Sequence, residues 1–162
     1  MAKTADTTST RGGLIEMSQH QAVQIVLLGI GLGVGAWVLS ELIRRVILVP
    51  LFCGDPSSMV CANAPDFAAN IAAIIVVVAG LMGLVRLSVY RPLLIALAVF
   101  VSLWGLGAWT SSLAWYESLA WFVILYALCY MAFAWLVRPQ SFVPTIVSVI
   151  VAVILIRWLP LL

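Results

Sequence analysis

Histidine and lysine each occur once in this 162-residue chain, as His20 and Lys3, and charged residues of every kind make up only 9% of it. One histidine cannot build a His-rich metal centre, and haem held between two membrane histidines is excluded within one chain. No Ser/His/Asp, Cys/His or H-E-x-x-H arrangement can be assembled. The sequence therefore offers no catalytic constellation, no metal ligand set and no cofactor motif. A net charge of +2, dispersed along the chain, makes no nucleic-acid-binding patch. The scarcity of charge also excludes a soluble fold. Soluble domains carry about 25% charged residues, and this chain has too few polar groups to cover its apolar ones.

What the chain does have is long apolar runs. Hydrophobic residues make up 65% of it, with a mean hydropathy of +1.20. Stretches of about twenty apolar residues recur, the length needed to cross about 30 Å of hydrocarbon. The reading is an all-α integral membrane protein, a bundle of five transmembrane helices joined by short loops. The spans fall at about 19–49, 66–86, 92–109, 116–137 and 143–160, and the first is unusually long. Residues 1–17 read as a polar, Thr-rich flexible tail, and 18–162 as a single transmembrane domain. The opening is not read as a signal peptide, because the apolar run is too long and lacks a clear cleavage site.

Local signals place the boundaries. Ser18 and Gln21 form an S-x-x-Q capping box at the first helix start, and Pro50 marks its end. Fully helical, that segment is roughly 45 Å long at 1.5 Å per residue, so it must tilt, bend or protrude. Gly54-Asp55-Pro56 reads as a turn. Asn63 and Asp66 read as cap and third residue of the next helix, with Pro65 tolerated in its first turn. Arg91-Pro92 and Arg138-Pro139 punctuate the later links, and TSSLAWYES (110–118) reads as a tight polar connection.

Arginine counts orient the bundle. Lys3, Arg11, Arg86, Arg91 and Arg138 fall on one side, against Arg44, Arg45 and Arg157 on the other. Five against three favours a cytoplasmic N-terminus and an external C-terminus, most simply in a prokaryotic inner or plasma membrane. Cys53 and Cys61 then lie in an external loop with seven residues between them, where a disulfide is expected. Their spacing is not C-x-x-C, which disfavours redox or zinc chemistry. Cys129, in mid-span, reads as a packing residue. Trp109, Trp115, Tyr116 and Trp158 are expected at the outer interface, and Tyr90 and Trp135 at the inner one.

The leading candidate site is LSELIRRVILVPLFC (39–53). Glu41 precedes Arg44 by three positions and Arg45 by four, so all three share a helix face in the favourable order for ion pairing. Two readings stand. The triad marks the outer end of the span, its arginines reaching head groups. Alternatively it lies deeper, as an ion path or partner contact, because seven apolar residues follow it before Cys53.

The second candidate is GIGLGVG, with overlapping G-x-x-x-G spacings at Gly29/Gly33 and Gly31/Gly35. These serve helix packing, either within the chain or between copies, with Gly80 and Gly83 as partner surfaces. Asn70 and the span serines are weak signals, and Ser102 and Ser148 are expected to bond back to their own helices. The expected function is that of a non-catalytic structural or assembly subunit in the lipid bilayer, packing with itself or with other membrane subunits. The alternative is a small oligomeric channel or transporter whose Glu41, Arg44 and Arg45 line an anion-attracting path.

Overall fold

The computed structural model of the chain describes residues 19–53, 59–89, 91–137 and 142–158. The polar tail, Ser18 of the capping box, the Gly54-Asp55-Pro56 turn, Tyr90 and Arg138 lie outside them. Every regular element among the described residues is helical: α1 Gln19–Ile43, a π-helical turn Arg44–Leu48, α2 Val49–Phe52, α3 Met59–Ala62, α4 Ala64–Arg86, α5 Pro92–Leu103, α6 Leu106–Thr110, α7 Trp115–Leu136 and α8 Phe142–Trp158. Three helices are long and apolar enough to cross a membrane: the 34-residue rod Gln19–Phe52, the 23-residue α4 and the 22-residue α7. At 1.5 Å per residue the rod is roughly 50 Å long, well beyond a straight crossing. It runs past Pro50 because that proline stands in the first turn of α2, where its missing N–H is tolerated.

α1 is the central element, packed on α7 along one side and α4 along the other. Both neighbours run antiparallel to it. A Cβ on Gly29 would meet the backbone of Ala127, and one on Gly33 that of Phe122 and Val123, so rising numbers in α1 match falling numbers in α7. Leu28 sits over Gly83 and Leu32 over Gly80, which sets the same sense for α4. α5 closes against α4 and α7, and α8 packs on α5 and α7. The core centres on Tyr130, Phe133, Ile25, Leu84 and Ile95, each under 2% exposed. A smaller cluster joins Ile43 and Leu48 to the alanine face Ala64, Ala68 and Ala72 of α4. In lipid no hydrophobic drive holds helices together, so these small residues stabilise the bundle by allowing close backbone contact.

Besides the continuation past Pro50, the structure differs from the sequence reading at the third span, at Asn63 and at Ser102. The expected third span at 92–109 is not one helix. It breaks at Trp104–Gly105, where Gly105 adopts φ 86°, a left-handed conformation that costs glycine nothing. The broken turn frees the Gly105 N–H, which donates to Asn70 Oδ1 at 3.2 Å, while Asn70 Nδ2 donates to Asp66 Oδ2 at 3.2 Å. Asn70 thus fastens the break rather than decorating its helix. Asp66 is the third residue of α4 as expected, but Asn63 makes no side-chain cap. Its Nδ2 donates backwards to the Met59 carbonyl at 3.0 Å, which also accepts the Asn63 backbone N–H at 3.2 Å. Ser148 bonds back to Thr145 as expected, whereas Ser102 Oγ is buried with no hydrogen-bond partner among the described residues.

Candidate functional site

The charged triad forms as the spacing dictates. Arg44 Nη2 donates to both carboxylate oxygens of Glu41, at 2.9 and 2.7 Å, and Arg45 Nε donates to Oε2 at 2.9 Å. Three positions make about 300° of helix and four about 400°, so both guanidiniums flank the carboxylate. The side chains are graded in exposure: Glu41 at 28%, Arg44 at 33% and Arg45 at 73%. The triad is therefore embedded at its acidic centre and open at its second arginine. The π turn opens on Arg44 itself, a local widening often found where a helix serves a function.

α7 starts short of the triad, whereas α4 continues along the rod as far as Leu48. Trp37, one turn before Glu41, pairs with Trp115 at the first residue of α7, with ring centroids 6.4 Å apart. α7 therefore begins about one turn below the triad. The link from α6 to α7 reaches the hollow through Leu113. What remains is a hollow of about 150 Å³, with the triad and Ser40 on one wall. Pro65 forms part of a second wall, Thr110 and Ser111 of α6 a third, and Trp115 and Ser118 of α7 a fourth. Phe122, buried, forms its base. Below that, α1 and α7 are in backbone contact at Gly33.

Its chemistry is cationic and polar. Two guanidiniums face one carboxylate, a net formal charge of +1. Among the described residues the carboxylate engages only Nη2 of Arg44 and Nε of Arg45, so both guanidiniums keep further N–H donors. The hydroxyls of Ser40, Thr110 and Ser111 donate to carbonyls of their own helices, Trp37, Leu106 and Ala108, at 2.8, 2.9 and 2.8 Å. The carboxylate of Asp66 is turned to Asn70 and does not line the hollow. No group of three or more His, Cys, Asp or Glu side chains that could hold a metal occurs among the described residues.

The glycine candidates divide. Gly29 and Gly33 are closed by α7, where an added Cβ would lie 2.8 Å from backbone carbon. Gly80 lies under the Tyr130 hydroxyl and Gly83 under Leu28, so these two also pack within the chain. Gly31 and Gly35 do not: among the described residues nothing beyond their own helix lies within 4 Å of a Cβ there. Cys53 and Cys61 are joined in a disulfide with Cα atoms 5.2 Å apart, and Cys129 is free and buried. Closing so short a loop contributes about 2–3 kcal/mol in the chain-entropy model. The bridge fastens the end of the rod beside the triad to the approach to α4.

Sequence reading missed Trp37, Thr110, Ser111 and Ser118 as walls of one hollow. Their only signal was the polar link TSSLAWYES, and nothing in it indicates that the link lies beside Arg44. Trp109 pairs edge-on with Trp121, with centroids 5.1 Å apart, and the exposed Trp115 and Tyr116 neighbour them at the same end, an aromatic cluster where an outer belt was expected. No family model, no curated protein and no solved structure matches this chain, so its reading rests on its own geometry.

Proposed function

We propose that the chain is a non-catalytic polytopic membrane protein, a structural or assembly subunit that acts through helix packing with a second copy or another membrane subunit. The observation that carries this reading is the division of the α1 glycines. One G-x-x-x-G pair is consumed inside the bundle, while Gly31 and Gly35 form a second, open strip between exposed Leu27, Val34 and Val38. Small-residue strips of this kind let helices from separate chains approach closely in lipid.

Five crossings belong to this reading. α5 and α6 together lead from Arg91 to the start of α7 at the triad end, and α8 returns along α5 and α7 with an apolar stretch at Thr145–Ile154. The arginine balance and the disulfide both favour a cytoplasmic N-terminus and a triad end facing an oxidising exterior, as in a prokaryotic plasma membrane. Oxidative cross-linking in native membranes tests the assembly. Gly31→Cys and Gly35→Cys, placed in a Cys129→Ala background, are expected to form dimers or link to a partner, whereas Ile124→Cys on α7 is not. A monomeric mass in mild detergent with neither glycine position cross-linking would sink the proposal.

A second reading is a small oligomeric channel or transporter with Glu41, Arg44 and Arg45 on an anion-attracting path. The open cationic hollow favours it. The α1–α7 seam is closed at Gly33, and this reading takes the path between chains. Anion flux in proteoliposomes that falls with Arg44→Gln and Arg45→Gln would support it. Equal flux in wild type and both variants would eliminate it.

A further inference from the structure

We propose that the hollow beside the π turn is a binding site for one tetrahedral oxyanion of the phosphate class, held by Arg44 and Arg45 at the triad end of the bundle. The inference adds a ligand to the cationic cluster of the second reading. It does not depend on self-association or on flux, because every wall of the hollow comes from a single chain.

The first support is space. A volume of about 150 Å³ is roughly five times the share of one water molecule in the liquid, enough for a phosphate group and too polar in its walls to remain dry. A charge cluster that only marked the end of a membrane span would need no enclosing walls. Here several separate segments line it, the polar groups standing beside Trp37, Pro65, Leu113, Trp115 and Phe122.

The second support is unused donor capacity. Glu41 takes both its bonds from Arg44 through a single nitrogen and one from Arg45 through Nε. The remaining guanidinium N–H groups suit oxyanions, which they bind in paired, charge-assisted hydrogen bonds. Two guanidiniums on successive residues leave the helix about 100° apart. A tetrahedral anion can give separate oxygens to each, whereas a carboxylate offers two oxygens in one plane. The net charge of +1 persists after Glu41 is counted. Glu41 then acts as a positioning residue: it holds both arginines on the wall of the hollow and limits how strongly they retain the anion.

The third support comes from the surroundings. Arg45 is 73% exposed, so an anion has an entry side, while Arg44 is two-thirds covered and gives it an inner anchor. The first turn of α7 puts Trp115 and Ser118 on the wall, and its Glu117, which does not line the hollow, offsets the positive end of that helix. Exposed Val46, Ile47, Leu51 and Phe52 continue the rod beyond the triad, an apolar surface beside the mouth. That neighbourhood suits the phosphodiester of a lipid headgroup as well as free phosphate.

The test is binding to the purified full-length protein in nonionic detergent, read by native mass spectrometry and by the fluorescence of Trp37 and Trp115. Sodium phosphate and short-chain phosphatidylglycerol are titrated separately, with diacylglycerol as the phosphate-free control. Saturable 1:1 binding by either phosphate probe, and not by diacylglycerol, is expected. Binding of phosphatidylglycerol alone identifies a headgroup site, and binding of both identifies a phosphate site open to water. Arg44→Gln and Arg45→Gln should each weaken binding by about tenfold or more, the usual loss for a charge-assisted bond. Glu41→Gln raises the local charge from +1 to +2 and should tighten it. Should an arginine variant fail to fold, Ser111→Trp decides, since it fills the hollow from the α6 side and should abolish binding with the triad intact. The proposal is overturned if neither phosphate probe saturates, if diacylglycerol binds equally, or if Ser111→Trp or the folded arginine variants bind as wild type does.

Discussion

The two halves of α1 solve opposite problems with one continuous rod. In the first half, Gly29 and Gly33 remove side chains so that α7 can lie against the helix backbone, with no space left over. Toward its far end α4 stays against the rod, but α7 begins at Trp115 and α6 ends at Thr110, and a polar hollow opens beside Glu41 and, in the π turn that follows, Arg44 and Arg45. One half gains stability through contact, and the other keeps room for something else. In membrane bundles, tight glycine packing supplies the rigidity against which a looser, charged end can be held in shape.

This contrast can be broken from either side. The largest effect is expected in the tight half. Gly33→Leu drives a branched side chain into the backbone of Phe122 and Val123, which cannot yield as a flexible side chain would. The cost is expected to be about 3 kcal/mol or more, measured by unfolding in mixed detergent micelles. Loss of the folded bundle is the expected limit, and wild-type stability would refute the α1–α7 contact.

The next effect falls at the open end. Cys53→Ser removes the clamp that ties the rod to the approach to α4 and should cost about 2–3 kcal/mol. Loss should be confined to that end: hydrogen exchange around Leu48 and Ala64 should rise while Tyr130 and Phe133 stay protected. Uniform loosening of the whole bundle would show that the halves are not separable.

Smaller again is Gly105→Ala. It places a Cβ at φ 86° in the break between α5 and α6 and should cost about 1–2 kcal/mol. Because α6 forms a wall of the hollow, phosphate binding should weaken alongside stability. The mildest test is Gly35→Ala, which meets open space and sits in a helix. It should change monomer stability by less than about 0.5 kcal/mol, or raise it slightly, while reducing cross-linking between chains. A large stability loss there would mean that Gly35 packs within its own chain.

Much of the architecture was readable before any coordinates. Apolar run length gave the helical membrane class, because about 30 Å of hydrocarbon demands roughly twenty satisfied backbone residues. The i, i+3 and i, i+4 spacing gave the Glu41–Arg44–Arg45 pairing, since it is local to one helix. The Cys53–Cys61 bridge was readable for the same reason: the separation is short enough for the chain to close on itself. The break at Gly105 was not readable, because the pattern at 92–109 is apolar throughout and its partner, Asn70, is 35 residues away. Asn63 was misread as a cap because its competing acceptor, the Met59 carbonyl, exists only once α3 has formed.

The sequence by itself determined the all-helical class, the three long apolar helices, the disulfide and the ion-paired triad, all consequences of composition or of spacing along one segment. Only the tertiary structure decided which glycine pair is buried, since Gly29/Gly33 and Gly31/Gly35 have the same spacing and differ only in whether α7 faces them. It also decided that Ser111 and Ser118 stand across a hollow from Arg44. That placement depends on where α6 and α7 stop relative to the rod, a matter of packing between helices rather than of any residue's own preference.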